Sequence, residues 1–267
     1  MNHRIRVEPT DNMGVFSEDG PLVTAVLVTG KSIERVPLVR NAILSFLSQT
    51  HRNRALVVIN DGDFEIDAGN APWSKRIREI RVARGLTLGE LRNRGLEAVE
   101  PNGIWVQWDD DDWRHPRSLE DQFTFLKSHD LDGCTLMGQL KYNVAENSAW
   151  EHLLPAGFKG FAGTIMAKNL GGTSYPAMPA HEDSSFWSQF MARHRVAAFN
   201  APSYHYLRLI HSDNTSLHLR GRSEGRDQWL LDEESEAYLV SVLRHYGINQ
   251  AVIDRRCRAR RCPLVEP

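Results

Sequence analysis

Four consecutive aspartates, Asp109 to Asp112, follow directly on the run Ile104-Trp105-Val106-Gln107-Trp108. Adjacent carboxylates repel one another, so a run anchored behind a buried strand calls for a cation to offset it. Oxygen ligands suit Mg²⁺ or Mn²⁺, and Mg²⁺ is usually held by one or two carboxylates together with substrate phosphates. Asp109 and Asp111, two apart, turn to the same side of an extended segment. The implied substrate carries a phosphate or diphosphate. A solvated acidic turn ahead of a helix would explain one aspartate, but four behind a strand fit it poorly. A D-x-D after a strand also serves phosphatases with an aspartyl nucleophile, with Asp109 attacking and Asp111 as acid/base. There the motif normally closes the first strand; here it closes the third.

The elements that must position these carboxylates are legible in the apolar pattern. Leu22 to Thr29 is a short β-branched run bounded by Pro21 and Gly30, a buried strand. Val36, Val39, Ile43, Phe46 and Leu47 recur at helical spacing, predicting a helix over 35–49. Residues 55–60 read as a second strand, completing a βαβ unit and hence a parallel sheet. Residues 63–86 read as loop-rich and 87–99 as a helix. The third strand spans 104–108, followed by a helix from Pro116 to His129. Strands follow from Cys134 to Leu140 and from Phe161 to Ala167. A Gly/Pro-rich loop covers 169–180, then a helix from Ser184 to Arg193 and short strands at 196–199 and 203–208. A long helix is expected over 226–248. Ligands in open α/β sheets bind beyond the carboxyl ends of the strands, where the aspartates fall. The expectation is one α/β domain over 21–220, with a polar leader at 1–20 and a C-terminal helix and basic tail at 221–267.

The ordered motifs resemble the family-2 glycosyltransferases of GT-A fold, over residues 21–216. Ser45, Gln49 and Thr50 match S-x-x-x-Q-T, and Asn60-Asp61-Gly62 match (D/N)-D-G. Arg92-Asn93-Arg94-Gly95 match R-N-x-G, and Asp109 to Pro116 match D-x-D-D-x-x-x-P. His181-Glu182-Asp183 carry the E-D dipeptide, and Arg208 to Ser216 an R-x-x-H-x-x-N-x-S-like loop. The resemblance implies a Rossmann-like nucleotide-diphospho-sugar transferase that inverts the anomeric centre in one displacement, in polysaccharide biosynthesis. It implies Thr29, Asp61, Arg92, Asp109 and Asp110 on the nucleotide-sugar, with Asp61 on the base, typically uracil N3–H. Asp111 becomes the main ligand of a divalent metal (Mn²⁺ or Mg²⁺), with Asp109 and His211 beside it. Asp183 becomes the general base on the acceptor hydroxyl, and Glu182 orients the acceptor or its loop. The partners implied are a UDP- or dTDP-linked sugar and a glycan, lipid-linked or small-molecule acceptor. Thr29-Gly30-Lys31 departs from the family's aromatic tripeptide, and Asp63 replaces its usual Ser. A non-catalytic sugar-nucleotide or glycan-binding module and a nucleotidyltransferase are the competing readings. Thr29-Gly30-Lys31-Ser32 is a thin version of the Gly-rich loop that the second would need.

Composition narrows the classes. The 267 residues carry 32 basic and 34 acidic side chains, so a near-neutral chain gives no overall field for nucleic acid. Residues 1–20 hold no apolar signal core, and the best apolar run is too short to span a membrane. A cytoplasmic protein is expected. The tail at 255–261, five arginines in seven residues, offers either peripheral contact with anionic lipid or a solvated end. Of three cysteines, Cys257 and Cys262 are spaced for a bridge or a metal, but reduced thiols are the simpler expectation.

Overall fold

A computed structural model describes residues 3–7, 13–30, 33–67, 69, 72–211, 228–229 and 233–246. The chain runs β1 (His3–Arg6), β2 (Val23–Thr29), α1 (Val36–Leu47), β3 (Arg54–Asn60), β4 (Phe64–Asp67), β5 (Ile77–Arg81) and α2 (Leu88–Leu96). It continues through β6 (Ile104–Asp109), β7 (Trp113–Arg114), α3 (Ser118–Ser128), β8 (Gly133–Leu136), β9 (Gly138–Asn143) and β10 (Ser148–Leu153). The last described elements are β11 (Phe161–Lys168), α4 (Glu182–Met191), β12 (Val196–Phe199), β13 (Tyr206–Ile210), β14 (Gln228–Trp229) and α5 (Glu233–Leu243).

A seven-stranded sheet, in the order β12-β8-β11-β6-β2-β3-β5, forms the centre. β6, β2, β3 and β5 are parallel neighbours, while β11 is antiparallel to both β6 and β8. The expected βαβ unit is present: β2 and β3 are parallel in register from Val23 against Arg54 to Thr29 against Asn60. A five-stranded sheet, β14-β10-β9-β13-β7, packs behind the aspartates, and β1 pairs with β4. This is a mixed α/β fold around a mainly parallel sheet, as expected.

α1 buries Val39, Ile43, Phe46 and Leu47 completely, and Trp108 packs edge-on to Phe46 while its indole N–H donates to Ala42 O at 3.1 Å. Trp105, Trp108, Trp113 and Trp187 are all core residues, each at most 5% exposed. Arg54 is fully buried and satisfies its charge on carbonyls, donating to Phe46, Leu47 and His51 at the end of α1 and to Gly14 and Val15. Cationic groups favour helix C-termini for the same reason.

Several local expectations change. Residues 63–86 are not mainly loop, because β5 edges the seven-stranded sheet and β4 pairs with β1 there. The segment from Cys134 to Leu140 is two strands in two sheets, split at Met137, whose N–H donates to Phe199 O. The 1–20 stretch holds a strand, and Val7 and Phe16 pack on the core. The last described helix is shorter than 226–248. Lys31, Cys257, Cys262 and the arginine-rich tail lie outside the described residues. Cys134 is buried, and burial pushes its thiol up to about 12. Among the described residues no helix is long and apolar enough to cross a membrane.

A histidine pair joins the sheets to α5. His115 stacks on His205 with centroids 5.3 Å apart and meets Tyr238 of α5 at 4.8 Å. Burial, and then His205, pushes His115 down from 6.5 to about 4. Burial lowers His205 as well. Between those pH values the unfolded chain binds more protons, so stability falls as pH drops through the window. The ring is part-exposed, so the expected loss is about 1–2 kcal/mol. Urea titrations at pH 7 and 4.5 should show this loss, and His115→Gln should reduce it to the part that His205 contributes. An unchanged pH slope in that variant would refute the account.

Candidate active site

The motifs act first as mechanical ties. Ser45 Oγ accepts from Arg114 N at 2.8 Å and donates to Arg114 O. Gln49 donates to His115 O and accepts from Leu119 N, both at 3.0 Å. Thr50 N donates to Pro116 O at 2.8 Å. The end of α1 is thus tied to the segment that follows the aspartates. Asn60 Oδ1 accepts from Gly62 N, and its amide donates to Phe64 O and Glu79, shaping the turn that presents Asp61. Gly30 approaches Asp61 so closely that a Cβ there would lie 1.5 Å from Asp61 Oδ1. On α2, Gly95 lets the helix sit on Val26, where a Cβ would meet Val26 Cγ1 at 2.2 Å. Asn93 clasps the backbone of Tyr175 with two hydrogen bonds of 2.8 Å.

These ties enclose a cleft of about 460 Å³ at the carboxyl ends of β2, β3 and β6. Thr29, Gly30, Asp61, Arg92, all four aspartates, Glu182 and Asp183 line it. His211 is joined to it through Asp111, its Nε2 lying 3.1 Å from Oδ2. Every site residue expected from the sequence therefore falls in or against one cavity.

The four aspartates differ in environment. Asp110 is buried, accepts from Thr29 Oγ1 at 2.7 Å and from Arg35 Nε at 3.1 Å, and forms an ion pair with that guanidinium. Asp111 takes a second Arg35 contact at 3.1 Å. Burial pushes the Asp111 carboxyl up, but the His211 hydrogen bond and the charges of Arg35, His211 and Arg208 outweigh it and hold it at about 2. Asp112 accepts from Leu209 N at 3.0 Å and from Tyr206 Oη; burial, then Asp111, raises it well above the usual carboxylate range. Asp109 accepts from Tyr206 Oη at 3.1 Å, from Gln107 and from Arg92. Arginines thus offset much of the charge that seemed to require a metal.

Arg92 is a bridge inside the protein: its Nε donates to Glu182 Oε1 at 2.8 Å and its Nη2 to Asp109 Oδ1 at 2.9 Å. It is 6% exposed and Glu182 2%. Burial is the largest influence on Glu182 and raises its carboxyl, against the pull of Arg92. Asp183, next along, faces the cleft. It is not the helix cap: α4 begins at Glu182, and the capping position is His181, in the left-handed conformation with φ 64°. Ser184 donates from its N at 2.6 Å and its Oγ at 3.2 Å to Asp183 Oδ1, and Asp183 lines the cleft.

Asp111 and His211 are the pair best placed to hold a metal ion, an anionic oxygen beside an imidazole nitrogen. Among the described residues no group of three His, Cys, Asp or Glu side chains suits one. Three residues of the site escaped the sequence reading: Arg35, Tyr206 and Arg208. Arg208 lines the cleft, and the charges of Asp112, Asp109 and Asp111 hold its guanidinium protonated against burial. Its motif was visible; Arg35 gave no comparable signal.

Comparisons with known proteins bear on the fold and the family. The chain resembles the solved structure of S. aureus TarS 1-349 in complex with UDP-GlcNAc, with TM-score 0.56 and 13% identity, over 84% of this chain and 66% of that one. It also resembles S. aureus TarS 1-349, with TM-score 0.54 and 13% identity over 70% and 60%. The complex of that fragment with UDP gives TM-score 0.52 and 14% identity over 70% and 60%. The chain thus spans less than two thirds of the length of these TarS chains. Such likeness at low identity shows the fold. No curated protein matches. The profile of glycosyl transferase family 2 matches residues 33–194, more than half of the chain. The chain belongs to glycosyl transferase family 2.

Proposed function

We propose that the protein is a metal-dependent, inverting glycosyltransferase that moves a sugar from a uridine or thymidine diphosphate donor to an acceptor hydroxyl. The observation that carries this reading is the convergence of Asp61, the Asp109–Asp112 run and Asp183 on one cleft. A carboxylate at Asp61 accepts from an imide N–H, which uracil and thymine have and cytosine lacks. TarS has been crystallised with UDP and with UDP-GlcNAc, which supports a uridine donor.

Asp111 and His211 would hold a divalent ion together with diphosphate oxygens, as Mg²⁺ and Mn²⁺ are commonly held. Bound there, the ion offsets the charge that develops on the leaving diphosphate. The protein's own groups do the rest. Arg208 adds positive charge to the wall of the cleft. Asp183 Oδ2 takes the proton of the acceptor hydroxyl as its oxygen bonds to the anomeric carbon. The bond from that carbon to the diphosphate breaks on the opposite face, and the diphosphate leaves with the electron pair. One base suffices for one displacement, and the configuration inverts.

A thermal-shift panel of UDP, dTDP, GDP and CDP with Mn²⁺ tests the donor. UDP or dTDP should raise Tm most, Asp61→Ala should erase the preference over CDP, and chelator should weaken the shift. Equal shifts with all four nucleotides would overturn the assignment of Asp61.

A further inference from the structure

The second sheet sets three side chains in a row beside the cleft. Lys141 on β9 lies opposite Trp150 in the antiparallel pair with β10 and opposite Arg208 in the parallel pair with β13. Paired residues share a face of the sheet, so indole, ammonium and guanidinium stand side by side. Tyr206, two residues before Arg208 and therefore on the same face, reaches Asp109 and Asp112 with its hydroxyl. The row thus starts at the aspartates, through Arg208 in the wall of the cleft, and leads away from them.

Lys141 is unusual for its charge. It is 8% exposed, and among the described residues its side chain makes no hydrogen bond or ion pair. Burial, and then the like charge of Arg208, pushes its amine down to about 8. Arg208 has the aspartates to balance it; Lys141 has no such carboxylate acting on it. Among the described residues the fully buried atoms without a partner do not include its Nζ, so the ammonium reaches solvent from a largely buried stem; holding a cation there beside a like charge still carries a cost. An anion seated against both cations would remove the cost. Trp150, next in the row, is half-buried and makes no ring contact among the described residues. An indole face suits the C–H face of a sugar ring, while ammonium and guanidinium suit phosphate or carboxylate.

We propose that Trp150, Lys141 and Arg208 form an acceptor subsite that recognises a sugar carrying a phosphate or carboxylate group. The proposal rests on the glycosyltransferase reading, in which the donor occupies the Asp61 side of the cleft.

The test titrates glucose 1-phosphate, glucuronate and glucose by calorimetry into the full chain saturated with UDP, which fills the donor side. One or both anionic sugars should bind saturably, and glucose at least about tenfold more weakly. Lys141→Met should weaken the anionic sugar by about tenfold, Lys141→Arg should restore it, and UDP affinity should stay unchanged in both. Trp150→Ala should weaken the anionic sugar without abolishing its advantage over glucose. Equal binding by wild type and Lys141→Met, no preference over glucose, or phosphosugar binding lost once UDP is present would each overturn the subsite. UDP binding is read in the same samples, so the two readings fail separately. Were UDP not to bind, the donor reading would fall, and titration of the ligand-free protein would still decide the dependence on Lys141.

Discussion

Asp183→Asn should lower kcat for sugar transfer by about a thousandfold while leaving the donor KM within about threefold. The side chain keeps its shape, and Oδ1 can still accept from Ser184 N and Oγ, so the helix start should hold. What disappears is the carboxylate proposed as the general base. A general base removed from a displacement forfeits two to four orders of magnitude, and about a thousandfold corresponds to ~4 kcal/mol of barrier. Because the base acts only as the proton moves, the loss belongs in kcat and not in donor binding. UDP should therefore stabilise the variant as it does the wild type. Ser184→Ala removes one of the two anchors and should cost only a few-fold. Assay of UDP release with a sugar-nucleotide, Mn²⁺ and an acceptor measures both. An Asn variant keeping more than a tenth of the activity would remove Asp183 from the role of base.

How far such roles can be read without coordinates depends on how local their causes are. β2 and β3 were legible because seven-residue β-branched runs bounded by turn residues have few other fates. The site residues named from motifs do converge, because the ends of β2, β3 and β6 meet at one edge of a parallel sheet. The partners of those residues were not legible. Arg35 meets Asp110 across 75 positions, and Tyr206 meets Asp109 across 97, and no periodicity records such encounters. The same holds for Ser45 and Gln49, visible as a motif but not as the ties that hold the backbone after the aspartates. Cys134 to Leu140 misled for a different reason. Its apolar character suits either sheet, and the change of sheet occurs at Met137, just before Gly138, where a Cβ would lie 2.8 Å from Leu153 Cδ2 and 3.3 Å from Ser203 Cα. Packing of a distant segment decides that break.

Arg92 is where structural and chemical demands meet, and Arg92→Met should damage both. The guanidinium is the ion-pair partner of Glu182 at 2.8 Å and also holds Asp109 at 2.9 Å. Its removal leaves a carboxylate buried at the first residue of α4 with no counter-charge. Breaking one side of a buried pair costs about 3–5 kcal/mol, and denaturant unfolding should show a loss of that order. Glu182 can escape the penalty by taking up a proton or by turning toward water, and either shifts the start of α4, where Asp183 sits. Activity should then fall by about a hundredfold or more, as misplacement of a catalytic group by about 1 Å commonly does. The double variant Arg92→Met/Glu182→Leu separates the two effects. Apolar replacement of a buried ion pair is often neutral or stabilising, so much of the lost stability should return. Activity should not return with it, because nothing then ties α4 to Asp109 across the cleft. Recovery of both together would mean that Arg92 serves stability alone; recovery of neither would mean that the strain lies at Asp109.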